Sequence, residues 1–119
     1  MVRVVLLGLA IAAVAAVNEG IARDGTGYGA GTISCGEWQQ HRVSGYKSNS
    51  YQAQAWIDGF LSGLNMTADS GPDFLVPKPD PVAYYAWIDN YCREKPLDPL
   101  AQAALALKKE LAARARRAD

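Results

Sequence analysis

The chain lacks the charge excess and the ligand residues that mark two large functional classes. Among its 119 residues, 12 Lys and Arg balance 12 Asp and Glu, so the formal net charge is zero. A neutral chain offers little electrostatic attraction to nucleic acid or to an anionic membrane. The sequence also has only two cysteines and one histidine, His41, without a CxxC pair, which is too few ligands for a typical zinc site. We therefore expect no nucleic-acid partner, no metal ion and no other cofactor.

Motifs of catalysis are scarce as well. The segment DGTGYGAGT, from Asp24 to Thr32, is rich in glycine, but no GK[ST] follows it and no predicted strand precedes it, so it does not match a phosphate-binding loop. Its four glycines and its lack of apolar periodicity predict a flexible lead-in over residues 23–32. No serine has an evident general base. The sequence therefore favours a protein without enzymatic activity.

The N-terminus has the pattern of a secretory signal peptide. It reads MVRVVLLGLAIAAVAAV, in which Arg3 precedes an uncharged apolar run over residues 4–17. That run of about 14 residues is shorter than the roughly 20 needed to span a bilayer. We predict a signal peptide over residues 1–22, whose cleavage leaves no stable membrane insertion; an uncleaved anchor is the alternative. Export by this signal predicts a periplasmic protein.

Export gives the two cysteines a structural meaning. In an oxidising compartment, a chain that contains only Cys35 and Cys92 most simply forms one disulfide bond. A bridge that closes a loop of roughly 58 residues stabilises a fold by about 4 kcal/mol in the chain-entropy model, which is a large share of the stability of a small domain. The alternatives are a zinc site and a catalytic thiol, for which the sequence provides few further groups.

Helix start signals recur four times after the lead-in. Each is a capping residue ahead of a helix-forming segment, and two of them are followed by proline at the first helical position. The four caps are Ser34, Ser50, Asp80 and Asp98. No stretch alternates polar and apolar residues with the period of a strand. The sequence therefore predicts an all-α fold, a small four-helix domain over residues 33–117 that is clipped by one disulfide.

The second predicted helix, from Ser50 to about Asn65, contains two glycines four residues apart. Gly59 and Gly63 lie on one helix face, and each weakens a helix by up to about 1 kcal/mol relative to alanine. We interpret them as positions where another helix approaches closely. A loop follows over residues 66–79, MTADSGPDFLVPKP, which holds three of the six prolines.

A six-residue segment occurs twice, as AWIDGF at residues 55–60 and as AWIDNY at residues 86–91. Each copy lies in a predicted helix, where the tryptophan and the aromatic residue four positions later share a face. We predict that these side chains and the neighbouring Tyr85 form core or interface; they are Trp56, Phe60, Trp87 and Tyr91. Beyond the six residues the two segments diverge, so the repeat indicates one packing arrangement used twice.

Asp58 and Asp89 hold the same position in the two copies, beside bulky aromatic residues. The packing interpretation places both at the edge of the core, either solvated or hydrogen-bonded. Because desolvation disfavours a charged carboxylate, both are also candidates for groups whose protonation in acid loosens an interface. The other interpretation is a catalytic acid/base pair, as in glycoside hydrolysis.

Three segments together resemble the HdeA/HdeB family of small periplasmic proteins. They are a cysteine that opens the first helix (ISCGEWQQ), a glycine-containing aromatic helix (WIDGFLSG), and a second cysteine followed by proline and an amphipathic last helix (DNYCREKPLDPLAQAALAL). The resemblance spans about residues 33–111. It implies that Cys35 and Cys92 form the family's disulfide, and that Trp56, Gly59 and Phe60 form its central-helix core. Immunity proteins of the Rap/Tai type share a similar exported, cysteine-clipped helical pattern.

The resemblance also implies a function. HdeA-type proteins are acid-stress chaperones that lose their dimer when carboxylates become protonated and then hold unfolding clients on exposed apolar surface. We accordingly expect an exported, non-enzymatic protein that binds unfolded clients or a protein partner, with a homodimer as one expected assembly. The alternative is an immunity-type inhibitor that binds one specific partner protein.

Overall fold

The computed structural model describes residues 26–45, 47–69, 71–77 and 79–118. The predicted signal peptide, residues 1–22, lies outside the described residues. Within them the chain forms a 3-10 turn followed by four α-helices, and no strand longer than an isolated bridge occurs in this part. The helices are α1 (Cys35–Val43), α2 (Lys47–Thr67), α3 (Pro81–Glu94) and α4 (Leu100–Ala118). The predicted all-α, four-helix class is confirmed.

None of the helices in the described ranges is both long enough and apolar enough to cross a bilayer.

Two helices begin as the sequence predicts. At α1, the Ser34 hydroxyl accepts a hydrogen bond from the Glu37 N–H at 3.1 Å, and the Glu37 carboxylate accepts one from the Ser34 N–H at 3.2 Å. This reciprocal pair is a capping box, which satisfies two N–H groups that a helix start would otherwise leave free. At α3, the Asp80 carboxylate accepts from the Ala83 N–H at 3.2 Å, and Pro81 holds the first helical position.

The start of α2 differs from the prediction. The helix begins at Lys47, three residues before the expected cap Ser50. Ser50 is buried, and its hydroxyl accepts a hydrogen bond from the Gln54 side-chain amide at 3.1 Å. It lies on the same inner stripe as Ala53 and Ile57, where a small side chain fits against the other helices. Packing therefore places Ser50 inside the helix, and a capping role for it is wrong.

The core is built from the inner faces of the four helices. Its largest fully buried apolar side chains are Trp38, Ile57, Leu61, Ile88, Leu100 and Leu107. Cys35 and Cys92 are also fully buried, and they form the predicted disulfide with their Cα atoms 4.8 Å apart. The bridge fastens the start of α1 to the end of α3. Each buried Leu or Ile side chain stabilises the fold by about 1.5–3 kcal/mol. The disulfide therefore adds to the stability that the apolar core provides and does not take the place of that core.

The loop between α3 and α4 is fastened to the start of α1. The Cys35 N–H donates to the Asp98 carbonyl at 2.7 Å, and the Leu100 N–H donates to the Ile33 carbonyl at 2.8 Å. These bonds satisfy helix-end N–H groups with backbone acceptors. The fourth helix begins at Leu100, one residue later than predicted, and the Asp98 carboxylate accepts a hydrogen bond from the Tyr91 hydroxyl. The Asp98 side chain therefore contacts Tyr91 instead of taking the predicted capping role.

The described end of the glycine-rich segment is packed, which differs from the flexible lead-in predicted over residues 23–32. Residues Gly29–Thr32 form the 3-10 turn, and Gly31 is buried against the Trp56 indole. A Cβ at Gly31 would overlap the indole ring, so only glycine permits this approach. The Trp56 Nε1–H also donates to the Tyr28 carbonyl at 2.7 Å. The turn therefore forms one wall around the half-buried Trp56.

Gly59 and Gly63 do not meet another helix, so the predicted close packing is wrong within the described chain. Both are exposed, and a Cβ added to either would meet no heavy atom within 4 Å. They lie on the solvent side of α2 together with the exposed residues Gln52, Ala55 and Met66. We refer to these five residues as the outer face of α2. It carries no ionisable side chain.

Candidate functional site

The two copies of the repeated segment pack in the same way. In each copy the isoleucine is fully buried: Ile57 and Ile88. The aromatic pairs stack beside them, with ring centroids 4.7 Å apart for Trp56 and Phe60 and 5.9 Å apart for Trp87 and Tyr91. All four of these aromatic residues are half-buried, and Trp56, Trp87 and Tyr91 pack against the core at its edge.

Trp38 is the tryptophan that fills the core, and the sequence reasoning did not single it out. It is fully buried in α1. The one local indication that Trp38 is buried is its position three residues after Cys35, on the same face of a helix that begins with a capping box. Burying an indole requires a partner for its N–H group. That partner is one of the two aspartates of the repeat.

Asp89 joins α3 to α1. Its carboxylate accepts hydrogen bonds from the Trp38 Nε1–H at 2.8 Å and from the Nε and Nη2 groups of Arg42 at 3.0 and 2.8 Å. The two short guanidinium bonds reach different carboxylate oxygens, which is the strong bidentate geometry of a charge-assisted pair. The guanidinium also lies 5.4 Å from the centroid of the Trp38 ring. Asp89 therefore completes the hydrogen bonding of a buried indole and of a partly buried arginine.

Arg42 is a permanent positive charge in the Arg42–Asp89 pair. The hydrogen bond to Asp89 raises the pKa of Arg42 above its ordinary value, so the guanidinium keeps its charge throughout the acidic and neutral range. The two side chains are 30% and 28% exposed, respectively, which leaves them partly shielded from solvent screening. Neutralising the carboxylate would leave the Arg42 charge without its counterion.

Asp58 joins α2 to α3. The Tyr85 hydroxyl lies 2.8 and 2.7 Å from the two carboxylate oxygens of Asp58. Burial, reinforced by this hydrogen bond, raises the pKa of Tyr85 well above its ordinary value, so its hydroxyl remains a donor. The Tyr85 ring also lies near the Trp38 ring, with centroids 6.3 Å apart. We refer to Trp38, Arg42, Asp58, Tyr85 and Asp89 as the carboxylate seam, because two carboxylates bind α3 to its neighbours there.

Asp58 also lines a groove between α2, the start of α3 and the loop that joins them. The groove has a volume of about 250 Å³, and its lining residues are Asp58, Leu61, Ser62, Leu75, Pro79, Pro81 and Tyr84. The loop is held against α2 by Asn65, whose side-chain carbonyl accepts from the Phe74 N–H at 3.1 Å, while the Phe74 ring is buried. Burial also raises the pKa of Tyr84. The groove is the second candidate binding feature, and no periodic pattern in the loop predicts it.

Tyr91 forms a second tyrosine–carboxylate contact. Its hydroxyl donates to the Asp98 carboxylate at 2.6 Å, across the end of α3. Burial and this hydrogen bond raise the pKa of Tyr91 to about 12. The contact lies next to the disulfide, since Cys92 is the following residue and the Asp98 carbonyl accepts from the Cys35 N–H. Tyr91 therefore strengthens the junction of α1, α3 and α4.

In the ranges that the structure describes, no three or more His, Cys, Asp or Glu side chains are grouped to hold a metal ion. His41 is half-buried, and its Nδ1 is shielded from solvent without a hydrogen-bond partner among these residues.

Comparison with known proteins gives no match. No family model matches the chain, and neither a curated protein nor a solved structure is significantly similar to it. A functional conclusion therefore depends on the geometry of the seam and the groove.

Proposed function

We propose that this chain is an exported, non-enzymatic protein-binding protein, an HdeA-like stress chaperone that offers apolar surface to unfolding clients in acid. The carboxylate seam is the observation that carries the proposal. Helix α3 is bound to α1 through Asp89 and to α2 through Asp58. Hydrogen bonds to an ionised carboxylate are roughly twice as strong as neutral ones, so protonation weakens the attachment of α3 on two sides together.

The surface behind the seam is apolar. Ile88 of α3 and Trp38 of α1 are fully buried there, and the Trp38 indole loses the ionised form of its acceptor when Asp89 is protonated. Movement of α3 would expose these side chains, and exposed contiguous apolar surface is what an unfolded client binds. Among the described residues, Arg42 is the cation paired with Asp89, and the Tyr85 hydroxyl is a neutral donor to Asp58.

The disulfide limits how far the protein opens. Cys92 lies in the last turn of α3 and is bound to Cys35 at the start of α1. When the seam is weakened, α3 can therefore move from its N-terminal end while its C-terminal end remains attached. A limited opening suits a chaperone, because the protein must refold when the acid stress ends.

Export supports the same proposal. The first 22 residues have the pattern of a signal peptide, and a buried disulfide is typical of proteins that fold in an oxidising compartment such as the periplasm. A homodimer is part of the proposal. The outer face of α2 suits contact with a second copy, since it is uncharged and its small residues permit close helix approach.

The test is an aggregation-protection assay with light scattering on the oxidised mature protein, from about pH 7 to about pH 2, over which carboxylates become protonated. We expect an unrelated acid-labile enzyme to be protected only in acid. The variant Asp89→Asn keeps the shape of the side chain but removes its charge, so we expect it to protect clients at higher pH than the wild type. Its free energy of unfolding at neutral pH should fall by about 1.5–3 kcal/mol.

The variant Asp69→Asn is the matched control, because Asp69 is an exposed carboxylate outside the seam. It should leave both the stability and the onset of protection unchanged. A wild-type protein that keeps its size and its folding stability in acid and protects no client would contradict the proposal.

One observation favours a second candidate function, that of an immunity-type inhibitor with one specific partner. The groove is already formed in the closed protein, with its loop wall held by Asn65. A preformed concave site suits binding of a defined partner better than capture of diverse clients. A single tight partner that binds at neutral pH would favour this candidate.

A further inference from the structure

We infer that the groove between α2 and α3 anchors one basic side chain, a lysine or an arginine, presented by a partner protein. The inference rests on the proposed protein-binding function and names the chemistry that the site selects. The polar groups of the groove belong to Asp58, Ser62 and Tyr84, and its walls are apolar.

Two of the three polar groups of the groove, those of Asp58 and Ser62, have only acceptor capacity left for a ligand. The Asp58 carboxylate, when ionised, is an acceptor only. The Ser62 hydroxyl donates to the Asp58 backbone carbonyl at 2.7 Å, which uses its single hydrogen and leaves its lone pairs for a ligand. A site rich in acceptors selects a group rich in donors. Lysine and arginine side chains carry three and five N–H donors and no acceptor.

The charge of the groove points to the same class. Among the described residues, Asp58 has no cationic partner, and Tyr85 supplies it with a neutral hydrogen bond only. The ion pairs in this part of the chain are instead Arg42 with Asp89 and Glu110 with Arg114 and Arg117. No described side chain thus neutralises the charge of Asp58, and electrostatic complementarity favours a cation there.

The shape of the groove fits one long side chain. Its apolar walls are formed by Leu61, Leu75, Pro79 and Pro81. Lysine and arginine lay their methylene stems along apolar surface while the charged end reaches a polar group. The volume of about 250 Å³ lies below the roughly 300–1,000 Å³ of sites for drug-sized ligands. The groove therefore suits a single anchoring side chain better than a cofactor.

The surroundings of the groove suit a protein surface. Val76 and Val82 are 58% and 78% exposed, and they are the chain neighbours of the lining residues Leu75 and Pro81. Apolar contacts around a buried anchor exclude water and strengthen it. The loop is also held before a partner arrives, because the Leu75 N–H donates to the Asp73 carboxylate at 2.9 Å. Little ordering cost then opposes binding.

The test is an NMR titration of the oxidised mature protein at neutral pH with three blocked peptides. They are Ala-Leu-Lys-Leu-Ala, its arginine counterpart, and a norleucine counterpart that keeps the apolar stem but has no charge. We expect the lysine and arginine peptides to shift the amide signals of Leu61, Ser62 and Leu75. They should bind about tenfold more tightly than the norleucine peptide, which corresponds to about 1.4 kcal/mol, and added salt should reduce the difference.

Two variants isolate the charge of the groove. Asp58→Asn retains an acceptor for Tyr85 and should abolish the preference for the lysine and arginine peptides, whereas the control Asp69→Asn should keep it. Ser62→Lys places a cation one helical turn from Asp58 on an exposed position. It should block the basic peptides even if Asp58→Asn folds poorly.

The inference is overturned if the three peptides bind equally, if the signal shifts lie away from the groove, or if both Asp58→Asn and Ser62→Lys keep the basic preference. Its failure is distinct from failure of the chaperone proposal. The latter is decided by client protection in acid, which the wild-type protein can show or lack whatever the peptides do at neutral pH.

Discussion

Tyr91 is a residue for which a pH effect on stability has a definite direction. Its folded-state pKa is raised from 10.0 to about 12 by burial and by the hydrogen bond to Asp98. Below pH 10 the hydroxyl is protonated in both the folded and the unfolded chain, so the contact contributes fully. Between pH 10 and about 12 the unfolded chain releases the proton first, and the contribution is lost.

We therefore expect the melting temperature to fall through this alkaline range and Tyr91→Phe to show a shallower fall than the wild type. The measurement is thermal unfolding by circular dichroism across the range, with tyrosinate absorbance as a second readout. Tyr51→Phe, at an exposed position, is the control and should follow the wild-type profile. An alkaline fall in Tyr91→Phe that equals the wild-type fall would contradict the role of the hydroxyl.

The two aspartates show how far residue-level prediction reaches. The repeat predicts that Asp58 and Asp89 lie beside aromatic surface, hydrogen-bonded or solvated at the edge of the core, and the structure shows hydrogen bonds for both. Their partners have no local signal, since Trp38 and Arg42 are 51 and 47 positions from Asp89 in the sequence. Only the docking of α1 against α3 brings them together.

At the scale of elements, α2 contains two glycines that weaken it without a packing benefit in the described chain. Because a Cβ at Gly59 or Gly63 meets no heavy atom within 4 Å, alanine fits either position. We expect Gly59→Ala and Gly63→Ala each to raise the free energy of unfolding of the monomer by about 0.5–1 kcal/mol, measured by urea denaturation at low protein concentration. In the proposed homodimer the same changes should weaken association, as measured by sedimentation.

Gly31→Ala is the contrasting control for these two variants. Its Cβ would overlap the Trp56 ring, so it should destabilise the protein. A loss of monomer stability in Gly59→Ala comparable to that in Gly31→Ala would show that the outer face of α2 is not open.

The helix starts show which features are determined by neighbouring residues and which depend on the packing of the whole fold. The starts of α1 and α3 are predicted correctly because capping boxes and Asp-Pro pairs act within four residues. The start of α2 is missed because Ser50 has the chemistry of a cap but a buried place in the core. Its burial depends on the other helices, which no window around Ser50 contains.

At the scale of the whole molecule, the sequence predicts the class, the number of helices and the disulfide, because helical periodicity, the helix start signals and the export of a chain with two cysteines agree with one another. It does not predict the groove, since Leu75 and Pro79 come from a loop whose path is set by Asn65 and Phe74. The sequence does not predict the packed turn at Gly31 either. A glycine is equally compatible with a flexible segment and with the close approach of another side chain.

The disulfide contributes both to the stability of the whole fold and to the proposed limit on its opening. Replacing both cysteines, as Cys35→Ala with Cys92→Ala, removes a cross-link between residues 57 positions apart and should lower the free energy of unfolding by about 4 kcal/mol. A small domain has only about 5–15 kcal/mol in total, so the variant should remain folded at neutral pH with a much lower urea midpoint.

In acid the same variant should unfold outright, because α3 then loses the seam and its covalent attachment together. Far-ultraviolet circular dichroism should show the wild-type protein keeping its helices on acidification while the variant loses them. The control is Asp69→Asn, which keeps the disulfide, so that any change it shows on acidification is due to pH alone. If the variant kept its helical signal and its client protection in acid, packing alone would hold α3, and the disulfide would have no part in limiting the opening.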